Sequence, residues 1–344
     1  MGGAVMAKRY DYMDWLRVLA IMVVVLVHVV SKILNTEAPD HWQWQLAHAI
    51  DSALRWCVPI FFMLSGALLL TKKQIPPIGE FYSRRLGKVL IPLIFWSGVY
   101  LAYLVFEQGE DMTLWQMVKR FLVDDVYYHL WFLYVIFGLY LMAPFLRLLV
   151  QHMSKRLFEV FLGFWLLFSV FMPLLPKFYG YEPAFYTGMF QPFVGYFMLG
   201  AYLVLYPLPK KVLPPLAVLS VIGYLVTYWA TNQLTFSQGE LDEFFYDHER
   251  PNHVVISLFV FALFQHFAGR FKPNGAIRLI SAATLGIYVI HPLVQFYVNK
   301  LLGINETTIH AAVGIPLSWA IIFVLSLGII VALQRLPGAK HIVP

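Results

Sequence analysis

Residues 14–31 read DWLRVLAIMVVVLVHVVS. The run of Leu, Val and Ile makes a helix long enough for a bilayer, which takes about 20 mostly apolar residues to cross. Yet Arg17 and His28 stand inside it, and ionisable groups at membrane depth are costly unless a cavity or a partner faces them. At ~100° per residue, the eleven-position step from Arg17 to His28 turns about 1100°, roughly 20° past three full turns. Asp14, Arg17, His28 and Ser31 therefore share one stripe. A rise of ~1.5 Å per residue puts His28 about 16 Å beyond Arg17. With Arg17 at one interface, His28 lies near the centre of a hydrocarbon core ~30 Å thick.

The rest of the chain has the composition of a membrane protein. Of 344 residues, 60% are hydrophobic and only 13% charged, against about 25% charged in a soluble domain. The formal charge of +6 calls for no nucleic-acid partner, because basic residues collect on the cytoplasmic side of membrane proteins. The single cysteine, Cys57, has no partner for an internal disulfide. No small-residue cleavage site follows the first apolar run, so it reads as a retained helix. Ten segments reach or approach spanning length: 14–34, 49–71, 88–106, 127–150, 157–175, 190–206, 213–232, 252–270, 279–301 and 311–334. The expected fold class is all-α, a polytopic membrane protein of about ten transmembrane helices forming one domain over 1–344. With the N-terminus inside and the spans alternating, 18 of the 25 Lys and Arg fall on the cytoplasmic side. Lys32, Lys119, Arg120, Lys177, Arg250 and Lys300 fall outside, and Arg55 lies within a span. This bias puts both termini in the cytoplasm. Residues 111–124, DMTLWQMVKRFLVD, gather Leu114, Met117, Val118, Phe121 and Leu122 on one helical face, as expected of a helix lying on the outer membrane surface.

A second polar stripe matches the first. Thr284, Tyr288, His291 and Gln295 recur at helical spacing in the ninth span. That span runs in the same direction as the first, and His291 lies about 18 Å from its start. Two histidines on two helices thus reach similar depth, with Arg17 below them. Pro292 follows at once and removes the hydrogen bond to the Tyr288 carbonyl. The pair suits proton transfer in a cavity. The alternative is neutral packing histidines that bond neighbouring helices. Two histidines without a set of acids or thiolates make a poor metal site, so no metal is expected. On the inner side, Arg84, Arg85 and Lys88 precede the third span and are read either as ordinary anchors or as a phosphate clamp. On the outer side, Arg55 has Asp51 at i−4, a local ion pair. His129 and Trp131 open the fourth span and Gln191 the sixth. Aromatics at such depths serve either the interface belt or a sugar.

Taken together and in order, these motifs resemble acyltransferase family 3, the membrane O-acyltransferases, along essentially the whole chain. The stretch DWLRVLAIMVVVLVH is similar to the family's opening helix, VPIFFMLSGALLL with Ser65-Gly66 to its second, and FYSRRLGKVLIP to the basic start of its third. HLWFLYVIFGLYLMAP resembles its fourth, and LGIYVIHPLV its late Tyr-His helix. The closest likeness is to stand-alone bacterial members that acetylate or succinylate surface polysaccharides. One departure is that the family's basic pair three residues apart is here Arg85 and Lys88, with lysine second.

The resemblance implies transfer of an acyl group from cytoplasmic acyl-CoA to a hydroxyl of a glycan or lipid-linked glycan on the outer side. The setting would be a bacterial cytoplasmic membrane. Acetyl-CoA is the default donor and succinyl-CoA the next. His28 is the expected base or acyl carrier, with His291 and Tyr288 orienting or polarising. Arg17, Arg84, Arg85 and Lys88 are expected at the CoA phosphates, and Arg55, His129 and Gln191 at the acceptor. The geometry expected is His28 facing His291, with a cavity running toward Arg17. The other reading is a transporter of glycan intermediates, for which paired broken helices would be the signature. No such pairing is visible. The oligomeric state is left open.

Overall fold

Long apolar runs broken by Pro, Gly and charge give a helical molecule, without strands among the described residues. The computed structural model describes residues 2–72, 77–181, 191–303 and 310–344, with side chains from Asp11 onward. In chain order the helices are α1 (Gly2–Thr36), α2 (Trp42–Leu54), α3 (Cys57–Leu70), α4 (Ile78–Phe106), α5 (Leu114–Leu122), α6 (Trp131–His152) and α7 (Lys155–Trp165). Then come α8 (Leu174–Tyr179), α9 (Pro192–Leu205), α10 (Leu213–Gln238), α11 (Pro251–His266), α12 (Gly275–Leu302) and α13 (Ala311–Gln334).

Eight helical stretches are long and apolar enough to cross a membrane: α1, α2 with α3, α4, α6, α7 through α8, α10, α12 and α13. Two of the ten expected spans are shorter. Helix α9 has 14 residues and α11 has 16, below the length that carries a straight helix across the hydrocarbon core. Residue 190, the expected start of the sixth span, lies outside the described residues. The second span is broken at Arg55–Trp56, between α2 and α3. The fifth passes through a π-helical turn at Leu166–Phe171 before α8. The third starts earlier than expected, at Ile78, so Arg84, Arg85 and Lys88 sit on α4 rather than before it.

Helix α1 is the hub, packing against α2, α3, α11, α12 and α13. Ring donors pin main-chain carbonyls across the bundle: Trp319 Nε1 donates to Met22 O at 2.9 Å, and Tyr100 Oη to Val289 O at 2.8 Å. Such bonds matter where no water is present to take up a polar group. Pro292 leaves α12 continuous. Past α13, Trp96 Nε1 of α4 donates to Ile342 O at 3.0 Å and Val343 is fully buried. The segment after α13 is thereby clasped to α4.

The closest helix pair is α3 with α9. A Cβ on Gly66 would stand 1.7 Å from Phe197 O, and one on Gly200 would stand 1.9 Å from Met63 O. The two backbones meet because both contact positions lack a side chain, the usual way helices approach in lipid, where apolar burial gives little drive. Outside the bundle, α5 starts with a capping box between Thr113 and Gln116. Tyr134 Oη holds it by bonding Phe121 O at 2.6 Å. Leu114, Trp115 and Leu122 of α5 are exposed, as an interfacial helix requires.

Gly66→Ala and Gly200→Ala force the α3–α9 backbones apart, whereas Gly138 of α6 has open space around its Cβ position. Overpacking of this kind costs about 1–3 kcal/mol. Thermal unfolding in detergent should show lower midpoints for both α3–α9 variants and an unchanged or higher one for Gly138→Ala.

Candidate functional site

The stripe on α1 and the stripe on α12 face each other. At one end, Arg17 Nη1 donates to Asp14 Oδ1 at 3.1 Å and to Ser281 Oγ at 3.0 Å, while Ser281 Oγ donates to Asp14 Oδ1 at 2.8 Å. Deeper along the same pair, the rings of His28 and His291 lie 4.9 Å apart. His129, buried just before α6, stands 5.8 Å from His291 and 5.4 Å from Tyr288. The Tyr288 hydroxyl donates to the His129 carbonyl, fixing the start of α6 to α12. Tyr128 closes the group, its ring 5.2 Å from that of His28.

One tautomer follows from the main chain. His291 Nδ1 lies 3.1 Å from Ile287 O. A carbonyl only accepts, so Nδ1 carries the proton and Nε2 keeps its lone pair. That Nε2 is buried without a hydrogen-bond partner among the described residues. Buried polar atoms are ordinarily satisfied, so an unpaired acceptor beside His28 marks a place where a donor fits.

Two cavities meet at this level. The first, about 310 Å³, is lined by Arg17, Arg85 and Lys88 together with Ser65, Ser281 and Thr284, and residue Pro344 also borders it. The second, about 920 Å³, is lined by His28, His129, Arg55, Trp131, His248 and Gln295, and also by Lys32, Lys300 and Glu243. Val24, Val58, Phe132 and Tyr288 line both. Where one cavity between Arg17 and His28 was expected, there are two, sharing these four lining residues.

The expected site residues sort accordingly. His28, His291 and Tyr288 come together. Arg17, Arg85 and Lys88 share the first cavity. Arg84 does not join them: it is exposed and pairs with Glu80 at 2.6 Å, because it sits one position, or ~100° of helical turn, away from Arg85. Arg55 lines the second cavity, while its guanidinium is bidentate to buried Asp51 at 2.9 and 2.5 Å. The ion pair at i−4 and the cavity position are therefore both real. His129, expected at the acceptor, lines the second cavity and also packs against His291. Gln191 is exposed before α9 and lines neither cavity. Among the described residues no three His, Cys, Asp or Glu side chains are placed to hold a metal ion.

Sequence reasoning missed His248 and Ser281. Ser281 is one helical turn before Thr284 and would have extended the second stripe. His248 lies in the loop between α10 and α11, where no periodicity marks a face. Its Nδ1 bonds Arg55 O at 3.1 Å and its ring stacks on Trp131. Burial first, and the Arg55 charge second, hold His248 well below its usual pKa, so it is neutral at pH 7. Next to it, burial and the charge of Asp247 raise Glu249 to about 7, against an opposing pull from Arg250.

A family model described as an acyltransferase domain matches residues 10–335. No curated protein matches the chain, and no solved structure does.

Glu249 gives this loop a pH signature. Its folded pKa exceeds its unfolded value near 4.5, so the folded chain holds more protons and loses stability as pH rises from about 4.5 to 7. Glu249→Gln should therefore raise the thermal midpoint at pH 7.5 and leave it nearly unchanged at pH 4.5. The difference between variant and wild type, followed across that range, checks the assignment.

Proposed function

The chain belongs to the acyltransferase 3 family, and on that premise we propose that it moves an acetyl group from cytoplasmic acetyl-CoA to a hydroxyl of a surface or lipid-linked glycan. One observation carries this reading: a basic cavity and a histidine-lined cavity adjoin, with four residues lining both. An acyl-CoA needs cations for its phosphates and an apolar path for its arm. Arg17, Arg85 and Lys88 would take the phosphates, the arginine fork by paired contacts and the lysine as a point charge. The arm would pass Val24, Val58, Phe132 and Tyr288, bringing the thioester to His28.

In the second cavity the acceptor hydroxyl would approach from the opposite side. His28, as a neutral imidazole, takes the hydroxyl proton while the oxygen attacks the thioester carbonyl. The carbon–sulfur bond breaks, and the proton passes to the departing thiolate, giving the ester and free CoA. His291, whose Nε2 lone pair is uncommitted, orients His28 or steadies its charged form. Tyr288, bonded to the His129 carbonyl, holds α6 and α12 at the spacing this needs. Arg55, His248 and Trp131 would line the acceptor's seat. In this reading the chain is a multi-pass protein of a bacterial cytoplasmic membrane, with both termini inside.

His28→Ala should leave inserted, folded protein but abolish transfer of labelled acetyl from acetyl-CoA to the glycan fraction of membranes. Wild-type transfer by this variant would overturn its role. Arg85→Ala should raise the KM for acetyl-CoA with little change in kcat, because it touches only the donor's remote end. Movement of labelled glycan across proteoliposomes without acyl transfer would favour a transporter instead.

A further inference from the structure

Four residues border both cavities: Val24, Val58, Phe132 and Tyr288. They come from α1, α3, α6 and α12, so they surround the junction rather than lie on one side of it. Val24 is one helical turn before His28, and Tyr288 is three residues before His291. At ~1.5 Å per residue, Val24 and Tyr288 stand roughly 4.5–6 Å short of the histidine pair, on the Arg17 side. Three of the four members of this ring are hydrocarbon. The fourth, Tyr288, already spends its hydroxyl proton on the His129 carbonyl. The ring therefore offers no free donor to a passing anion.

We propose that Val24, Val58, Phe132 and Tyr288 form a neck that selects the acyl group, passing acetyl readily, retarding longer or branched chains, and disfavouring succinyl. The proposal rests on the acyltransferase reading above, in which the donor's acyl end must cross this layer to reach His28. Each added methylene must fit among close-packed side chains, and such a difference is worth roughly 10–200-fold in rate discrimination. A succinyl carboxylate must in addition leave water while meeting only methyl groups and an aromatic ring, which is costly unless it is paired. Lys32, Lys300 and Arg55 cannot offset that cost during passage, since they line the far cavity and not the neck. The acyl group is thus filtered before the chemistry, and the residues that filter it differ from those that would bind CoA phosphates or glycan.

The test uses the full-length protein in membranes containing its glycan, with acetyl-, butyryl- and succinyl-CoA as donors, each carrying label in the acyl group. Initial rates of label transfer are compared as ratios to acetyl. Wild type should prefer acetyl by at least tenfold over both alternatives. Val58→Ala and Phe132→Leu widen the neck and should raise the butyryl-to-acetyl ratio about tenfold. Val58→Thr keeps the volume but supplies a hydroxyl, so it should raise the succinyl ratio and leave the butyryl ratio where it was. This near-isosteric variant keeps the test sound if a widened neck disturbs folding. Ratios within twofold of wild type in all three variants would overturn the neck while leaving the acyltransferase reading intact. So would a wild type that transfers succinyl as fast as acetyl. Absence of transfer from every donor by wild type would instead overturn the reading on which the neck rests.

Discussion

An arginine and a histidine on one apolar helix set the conditions for everything around them. Neither can face lipid at low cost, so α1 must be enclosed, and the structure encloses it on several sides with α2, α3, α11, α12 and α13. The partner stripe on α12 answers it at both levels: Ser281 at Arg17, and His291 at His28. Neither level is filled with hydrocarbon. A cavity borders each, which lets polar groups stay polar without water-filled channels reaching the lipid.

That enclosure depends on how closely the outer helices can approach. Gly66 and Gly200 let α3 and α9 touch backbone to backbone, and α3 supplies Val58 and Ser65 to the cavity walls. A side chain at either glycine would displace the element that carries part of the junction. The Asp51–Arg55 pair plays a similar part at the break between α2 and α3. The carboxylate is fully buried and the arginine partly so. Removing one partner from such a pair strands the other charge. Charge and close packing here both serve to hold a cavity wall in place.

How far the residues alone foretold this varies with the physics involved. Helical periodicity placed Arg17, His28, Tyr288 and His291 on facing stripes, because a regular helix converts spacing into direction and depth. It also placed Leu114 and Leu122 on the free face of α5. Periodicity could not foresee the break at Arg55–Trp56, the early start of α4 at Ile78, or the π turn at Leu166–Phe171, where the helix geometry itself changes. Helix α9 shows another limit: its apolar run is real, but only 14 residues of it are helical. Arg84 is grouped with the site by nearness in sequence, and Gln191 by its place at the outer end of a span. A one-residue offset on α4 turns Arg84 outward, and Gln191 ends up outside both cavities. His248 was invisible because loops carry no such code. Only the fold brings residue 248 against Arg55 and Trp131.

The division into two cavities changes what the stripe on α1 means. A single cavity would make Arg17 and His28 two ends of one binding site. Two adjoining cavities place them in different linings, one basic and one histidine-lined. Val24, in the helical turn between them, belongs to both. The arrangement suits a reaction in which one substrate must be held apart from the other until a small group has crossed between them. It also gives a reason for polar groups at two depths on α1 with an apolar turn in between: in the proposed transfer the two polar levels would each hold one reactant.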